Sequence, residues 1–373
     1  MTEKVMERYA PVTVLLLTFF VLLVPFKTHA DWVNMSGAEV APNIVEFHVE
    51  EEGVRVVFEV FVDDLKHFSD LLPAEWLVDN GIDAAPDAER LVRFGEEGLV
   101  IRADDGAPLP VQMRLVERRL RVDRASLSAG TVDPYSGRRR PEPPKDPRVL
   151  YAELFYDFGG RRPETLEFAP PADVDGNVLP TIGMIVFHRE VPVIDFRYLS
   201  ASAKLMLNWQ DPWYSRFDNF NLIRHHRYPR MVFLYAEPYE IRYEALIRVR
   251  DIAELADLQP AGANLTTAEA ETLIASASQK IAERTQMSID GAPVRPDFDR
   301  AAYMRIGLRG LEILPPGEIV NVEAGILGLI WSVPTDGLPQ KAQLEWTWFD
   351  ENAPEVAGYT IDAAGPFLSP LRP

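Results

Sequence analysis

Gly53-Val54-Arg55-Val56-Val57-Phe58-Glu59-Val60-Phe61-Val62-Asp63-Asp64-Leu65, running on to Asp70-Leu71, aligns without a gap on Glu240-Ile241-Arg242-Tyr243-Glu244-Ala245-Leu246-Ile247-Arg248-Val249-Arg250-Asp251-Ile252, which runs on to Asp257-Leu258. Arg55 falls on Arg242, Val62 on Val249, Asp64 on Asp251, and Asp70-Leu71 on Asp257-Leu258. Each copy reads as a strand that ends in a short helix capped by an aspartate, whose carboxylate can accept the free amides of a first helical turn. A partner strand precedes the first copy: Val45, Phe47 and Val49 alternate with Glu46, His48 and Glu50, and Glu51-Glu52-Gly53 turns the chain. Strands with Asp-capped helices can converge on such a pattern. Identical residues held in register point instead to an internal duplication.

Working outward, similar elements follow each copy. After the first come a helix over 65–72, a helix over 86–94, and strands over 99–101 and 111–122. A loop rich in proline and arginine spans 128–148, with Arg138-Arg139-Arg140 at its centre. Strands resume over 149–158, 165–168, 183–187 and 203–207. After the second copy, Thr266 and Glu269 form a capping box for a helix over 266–284, with Leu273, Ala277 and Ile281 on one face. Strands are predicted over 302–308, 319–322, 326–333 and 343–348. The 31 prolines, against 22 glycines, favour short strands and stiff turns. The expected fold is mostly β: two tandem Ig-like β-sandwich domains with minor helices, over 31–208 and 231–373, joined by an aromatic segment over 209–230.

Residues 1–30 read as a signal peptide. Lys4 and Arg8 precede an apolar run from Pro11 to Phe26, and Thr28-His29-Ala30 supplies small residues for cleavage after Ala30. An uncleaved membrane anchor is the alternative. The chain has no cysteine, which excludes disulfides and thiolate metal sites. The expectation is an exported bacterial protein, periplasmic or at the cell surface, with no transmembrane segment in the mature chain. Charge is uneven along it. Residues 31–111 hold 19 acidic and 5 basic side chains, a net of −14, and residues 112–148 hold 10 basic and 5 acidic, a net of +5. A chain of net charge −19 is a poor partner for nucleic acid.

The run Glu59-Val60-Phe61-Val62-Asp63-Asp64-Leu65, with Glu89-Arg90-Leu91-Val92-Arg93-Phe94 and Asp104-Asp105-Gly106-Ala107-Pro108-Leu109, resembles an extracytoplasmic β-sandwich module. Such modules precede the membrane segments of hydrogenase/urease accessory membrane proteins, and similar bacterial periplasmic proteins carry them alone. The resemblance implies a β-sandwich outside the cytoplasm. It carries over neither metal transport nor catalytic residues, because no membrane helices follow and no His-rich segment is present.

Few residues offer chemistry. Asp173-Val174-Asp175-Gly176-Asn177 has the oxygen donors and tight turn of a calcium loop, without a glutamate at EF-hand spacing; an ordinary β-turn has the same composition. Calcium there is the only cofactor the sequence suggests. His225 and His226 adjoin arginines and would point to opposite faces of a strand, and His48, His67 and His188 share no metal-ligand spacing. No nucleophile elbow, phosphate loop or dinucleotide fingerprint is present. The stretch from Trp209 to Tyr228 concentrates aromatics and arginines, the residue types of binding hot spots. Trp209, Trp213, Tyr214, Arg216 and Phe217 are therefore the candidate contacts with another envelope protein, and a domain seam is the alternative use of the same residues. The expected function is non-catalytic protein binding. A solute- or calcium-binding module and a hydrolase using carboxylates are the alternatives.

Overall fold

A computed structural model describes residues 36–373, apart from 80–84, 105, 127–128, 134–135, 225, 308–309, 351–352, 363–364, 369–370 and 372–373. The predicted targeting segment and His225 lie outside the described residues.

In chain order the first half contains β1 (Asn43–Val49), β2 (Gly53–Phe61), β3 (Val100–Arg102), β4 (Val111–Leu120), β5 (Arg148–Asp157), β6 (Thr165–Ala169), β7 (Ile182–His188) and β8 (Val191–Pro192). Three short strands follow: β9 (Arg197–Tyr198), β10 (Ala203–Met206) and β11 (Arg216–Phe217). One sheet runs β4-β5-β2-β1-β7-β8, with β9 also on β7, and a second runs β11-β10-β6-β3. The two share one core. Alternation sends Val54, Val56, Phe58 and Val60 of β2 inward, all fully buried. From the other sheet come Ile101, Leu166, Phe168 and Leu205, and the Phe47 and Phe168 rings meet at 4.4 Å. Burying each such side chain contributes roughly 1.5–3 kcal/mol, which is what fixes the register.

The second half repeats this plan with β12 (Arg230–Glu237), β13 (Glu240–Arg248), β14 (Asn264–Leu265), β15 (Thr285–Ile289), β16 (Ala292–Val294), β17 (Asp297–Gly307) and β18 (Gly310–Ile313). It closes with β19 (Val320–Asn321), β20 (Ile326–Pro334), β21 (Ala342–Trp346), β22 (Ala357–Asp362) and β23 (Gly365–Leu368). Its main sheet runs β18-β17-β20-β13-β12-β22-β23. Strand for strand, β17-β20-β13-β12-β22 repeats β4-β5-β2-β1-β7. The hairpins β1–β2 and β12–β13 are antiparallel, while β1–β7 and β12–β22 are both parallel. In the second layer, β15 pairs with β21 as β3 pairs with β6.

The agreement extends to single residues. Phe58 faces Ala152 and its counterpart Ala245 faces Leu329; these in turn face Val116 and Ala301. Counting back from Val116 and Ala301, the ladder slips between Met113 and Leu115 in β4 and between Phe298 and Arg300 in β17. The two bulges occupy the same position in the two halves. A bulge is a local device for bending a strand, so its recurrence at one site is a strong mark of a common plan.

The segment predicted as a helix over 65–72 is not α-helical, whereas the helix predicted over 86–94 is present. Residues Val62–His67 and Ser69–Leu71 are 3-10 turns, followed by helix α1 (Ala74–Val78) and helix α2 (Asp87–Arg93). Asp64 does not cap the first turn: its carboxylate accepts from the Asn43 side chain at 2.7 Å. In the second half, helix α3 (Val249–Leu255) and helix α4 (Thr267–Ala282) follow β13, and the predicted capping box of Thr266 and Glu269 is present. Leu273, Ala277 and Ile281 of α4 are fully buried.

The 128–148 loop is an excursion within the β4–β5 hairpin and lies against the first half. Arg124 donates to Glu59 at 2.6 Å and to Glu46 at 2.8 Å on the outer face of the main sheet, and Asp133 is buried within the loop. Arg138 and Arg139 remain exposed. The described residues form one compact unit, and no helix among them is long and apolar enough to cross a membrane.

Candidate functional site

The aromatic segment divides between architecture and surface. Asn208 Oδ1 accepts from the Gln210 and Asp211 amides, and Asp211 Oδ1 from the Trp213 amide, which sets a 3-10 turn at Pro212–Tyr214. Trp209 stays with the first half, its Nε1 donating to Pro163 O at 2.7 Å and its ring edge-on to His188 at 4.6 Å. Phe217, in β11, is buried against Phe168. Trp213 is 5% exposed and crosses to the second half, where Nε1 donates to Glu323 O at 2.7 Å. Its ring lies among Val191 from the first half and Met231, Leu246, Met304 and Ile326 from the second. Only Tyr214 and Arg216 of the five candidates face solvent.

Charged groups surround that seam. Arg248, 1% exposed, donates to Asp251 at 2.8 and 2.9 Å and to Asp211 at 3.1 and 3.2 Å. Arg250 joins Asp211 at 2.6 Å to Glu323 at 3.0 Å. Arg224 lies 4.7 Å from the Trp213 ring and donates to the carbonyls of Pro192, Trp213 and His226. Burial pushes its guanidinium down to about 10. In Arg248 and Arg224 every guanidinium nitrogen donates to a protein acceptor, which leaves neither of these two turned toward a ligand.

Asp173 serves its own turn. Its Oδ1 accepts from the amides of Asp175 at 3.0 Å and Asn177 at 2.8 Å, and Gly176 supplies the positive φ the turn needs. The Asn177 side-chain amide, donating to Oδ2 at 3.0 Å, and then these backbone amides hold its carboxyl below the usual range. Among the described residues, no three His, Cys, Asp or Glu side chains converge as a metal site.

His188 and Ser215 form a pair that the sequence did not suggest, since 27 residues separate them. Nδ1 and Oγ lie 2.7 Å apart, and Oγ accepts from the Asn208 amide. Both residues are buried, and burial pushes the imidazole down to about 4. The pair locks the Asn208–Ser215 turn onto β7 and opens into no cavity among those found in the described residues.

A larger opening among the described residues lies elsewhere. A groove of about 620 Å³ runs between the 62–78 segment and the β4–β5 ladder. Leu65, Leu72, Leu77, Val149 and Leu150 line its apolar part, and Arg118, Arg119 and Arg148 its polar rim. Arg118 stacks over the Trp76 ring at 4.3 Å, Arg119 over Tyr151 at 3.6 Å. Arg119 pairs with Glu117 and Arg148 with Asp146, whereas Arg118 makes no ion pair among the described residues. Exposed Val78 and Leu120, at 63% and 68%, extend the apolar surface. Such a volume suits a small ligand or a few side chains of a partner, oriented by a few cations. Its signal in the sequence was the basic run Arg118-Arg119-Leu120-Arg121 in an otherwise acidic chain. No protein-family model and no curated protein sequence matches the chain.

Proposed function

We propose that this chain is a non-catalytic, exported envelope protein, built from two Ig-like sandwiches by internal duplication, that binds a segment of another protein in the groove beside β4. The Ig-like reading rests on strand order. In the first half β1 and β2 form a hairpin, β3 moves to the other sheet, β4 and β5 return with β5 beside β2, and β6 pairs with β3; with the short β14, β16, β18 and β19 set aside, β12, β13, β15, β17, β20 and β21 follow the same order. Export and an envelope location rest on residues 1–30 and on the absence of cysteine. The groove carries the binding reading, for it joins apolar surface to three arginines. In the partner-facing role, it takes the place first given to Trp213, whose packing favours the seam.

A photoreactive residue placed at Leu120 of the full chain, in cells, tests the reading. The expected result is a discrete crosslinked protein that is lost when Leu72→Trp fills the groove. A crosslinking pattern that Leu72→Trp leaves unchanged, or none at all, counts against it.

A further inference from the structure

The two halves differ at one sheet edge. In the second, β18 runs antiparallel along the end of β17, with Glu312 opposite Arg305 and Leu311 opposite Ile306. The Leu314 amide extends that ladder, donating to Tyr303 O at 2.8 Å. Counting from the shared bulge, Tyr303, Met304 and Arg305 occupy the places of Arg118, Arg119 and Leu120. In the first half the chain turns away at this point. The Arg121 amide donates to Pro147 O at 2.8 Å, the Val122 amide to Glu59 at 3.1 Å, and Arg124 to Glu59 and Glu46. Residues 122–124 are thereby drawn over the outer face of the sheet. Among the described residues, no strand pairs with the outer edge of β4.

Antiparallel alternation then decides which groups face outward. Because the Arg121 amide points to the β5 side, the amides and carbonyls of Arg118 and Leu120 point away from β5, as those of Tyr303 and Arg305 do toward β18. This edge borders the groove. Arg118, Arg119 and Arg148 lie along it; Arg119 and Arg148 are paired with Glu117 and Asp146, and Arg118, without an ion pair among the described residues, leaves the edge net positive.

Resting on the groove reading, we propose that the occupant is an extended acidic and apolar polypeptide segment that adds to β4 as an antiparallel strand, in the register β18 holds on β17. Backbone pairing supplies the affinity common to strand addition, and alternate side chains supply the selectivity. One set of side chains reaches the apolar groove lined by Leu72 and Val149. Carboxylates on the segment meet the three arginines, as Glu312 meets Arg305 at 3.4 Å in the second half.

The probe is a fluorescein-labelled nonapeptide of alternating leucine and glutamate, titrated against the full chain by anisotropy. The expected result is saturable binding that weakens at least tenfold in Leu120→Pro. Proline at that position removes only an outward-facing donor, as edge strands tolerate, so the melting temperature stays within a few degrees. N-methylating one alternate set of peptide amides should abolish binding to the unaltered protein, and methylating the other set should not. This second measurement holds even if Leu120→Pro folds poorly. Equal loss, or no loss, from both methylated sets overturns strand addition, as does a peptide that fails to bind. If the unmodified peptide binds, is excluded by Leu72→Trp and ignores methylation, strand addition falls and the groove reading stands. If peptide binding and the Leu120 crosslink are both absent, both fall.

Discussion

Replacing Trp213 separates a seam anchor from a contact surface. The indole is 5% exposed, its ring packs among Val191, Met231, Leu246, Met304 and Ile326, and its Nε1 holds Glu323 O at 2.7 Å. Truncating a buried Trp to Ala costs about 3–5 kcal/mol. The lost hydrogen bond falls within that figure and leaves a carbonyl unpaired, which alone is worth about 1 kcal/mol. The Arg224 guanidinium, 4.7 Å from the ring, would lose its stacking partner as well. The expected loss for Trp213→Ala is therefore about 4 kcal/mol, and Trp213→Phe should recover more than half of it. Urea denaturation followed by far-ultraviolet circular dichroism measures both. A loss below about 1 kcal/mol for Trp213→Ala would refute the seam assignment and return Trp213 to the surface.

Arg248→Ala leaves Asp211 and Asp251 facing each other without their shared cation, so a loss of about 3–5 kcal/mol is expected, with Arg248→Lys recovering only part of it; denaturant melts read both. His188 is held neutral by burial down to about 4, while an unfolded imidazole titrates near ~6.5, so acid protonates the unfolded chain first. Its contribution is fully present above about 6.5 and declines by roughly 3 kcal/mol as pH falls to about 4; comparing the chain with His188→Gln between pH 7 and pH 5 should show a shallower slope in the variant. Trypsin should cut first after exposed Arg138 or Arg139. The two fragments should separate on a denaturing gel yet co-elute in gel filtration, because β4 and β5 on either side of the cut stay paired from Val111 to Leu120.

The repeat was legible because burial imposes a period of two on both copies: Val54, Val56, Phe58 and Val60 match Ile241, Tyr243, Ala245 and Ile247, and all eight are buried. The α4 helix was equally plain, since its cap and its buried face are local. The 65–72 helix was not. Asp64 carries the mark of a cap, but Asn43, a residue of the neighbouring strand, takes its carboxylate. The seam was visible only as a composition of aromatics and arginines, which surfaces and interiors share. Which way Trp213 points depends on Val191 and Met231, far from it in sequence. The groove escaped notice for the same reason. Its walls come from 62–78, 118–120 and 148–150, and only the sheet brings them together.

Amide hydrogen exchange along β4, with and without the alternating leucine–glutamate peptide, addresses the open edge most directly. The outward amides of Arg118 and Leu120 should exchange fast in the free chain and slow at least tenfold with peptide bound. The Arg305 amide, already covered by β18, should not change. Slow exchange at Leu120 in the free chain, or rates there that the bound peptide leaves unaltered, would contradict an edge that waits for a partner's strand.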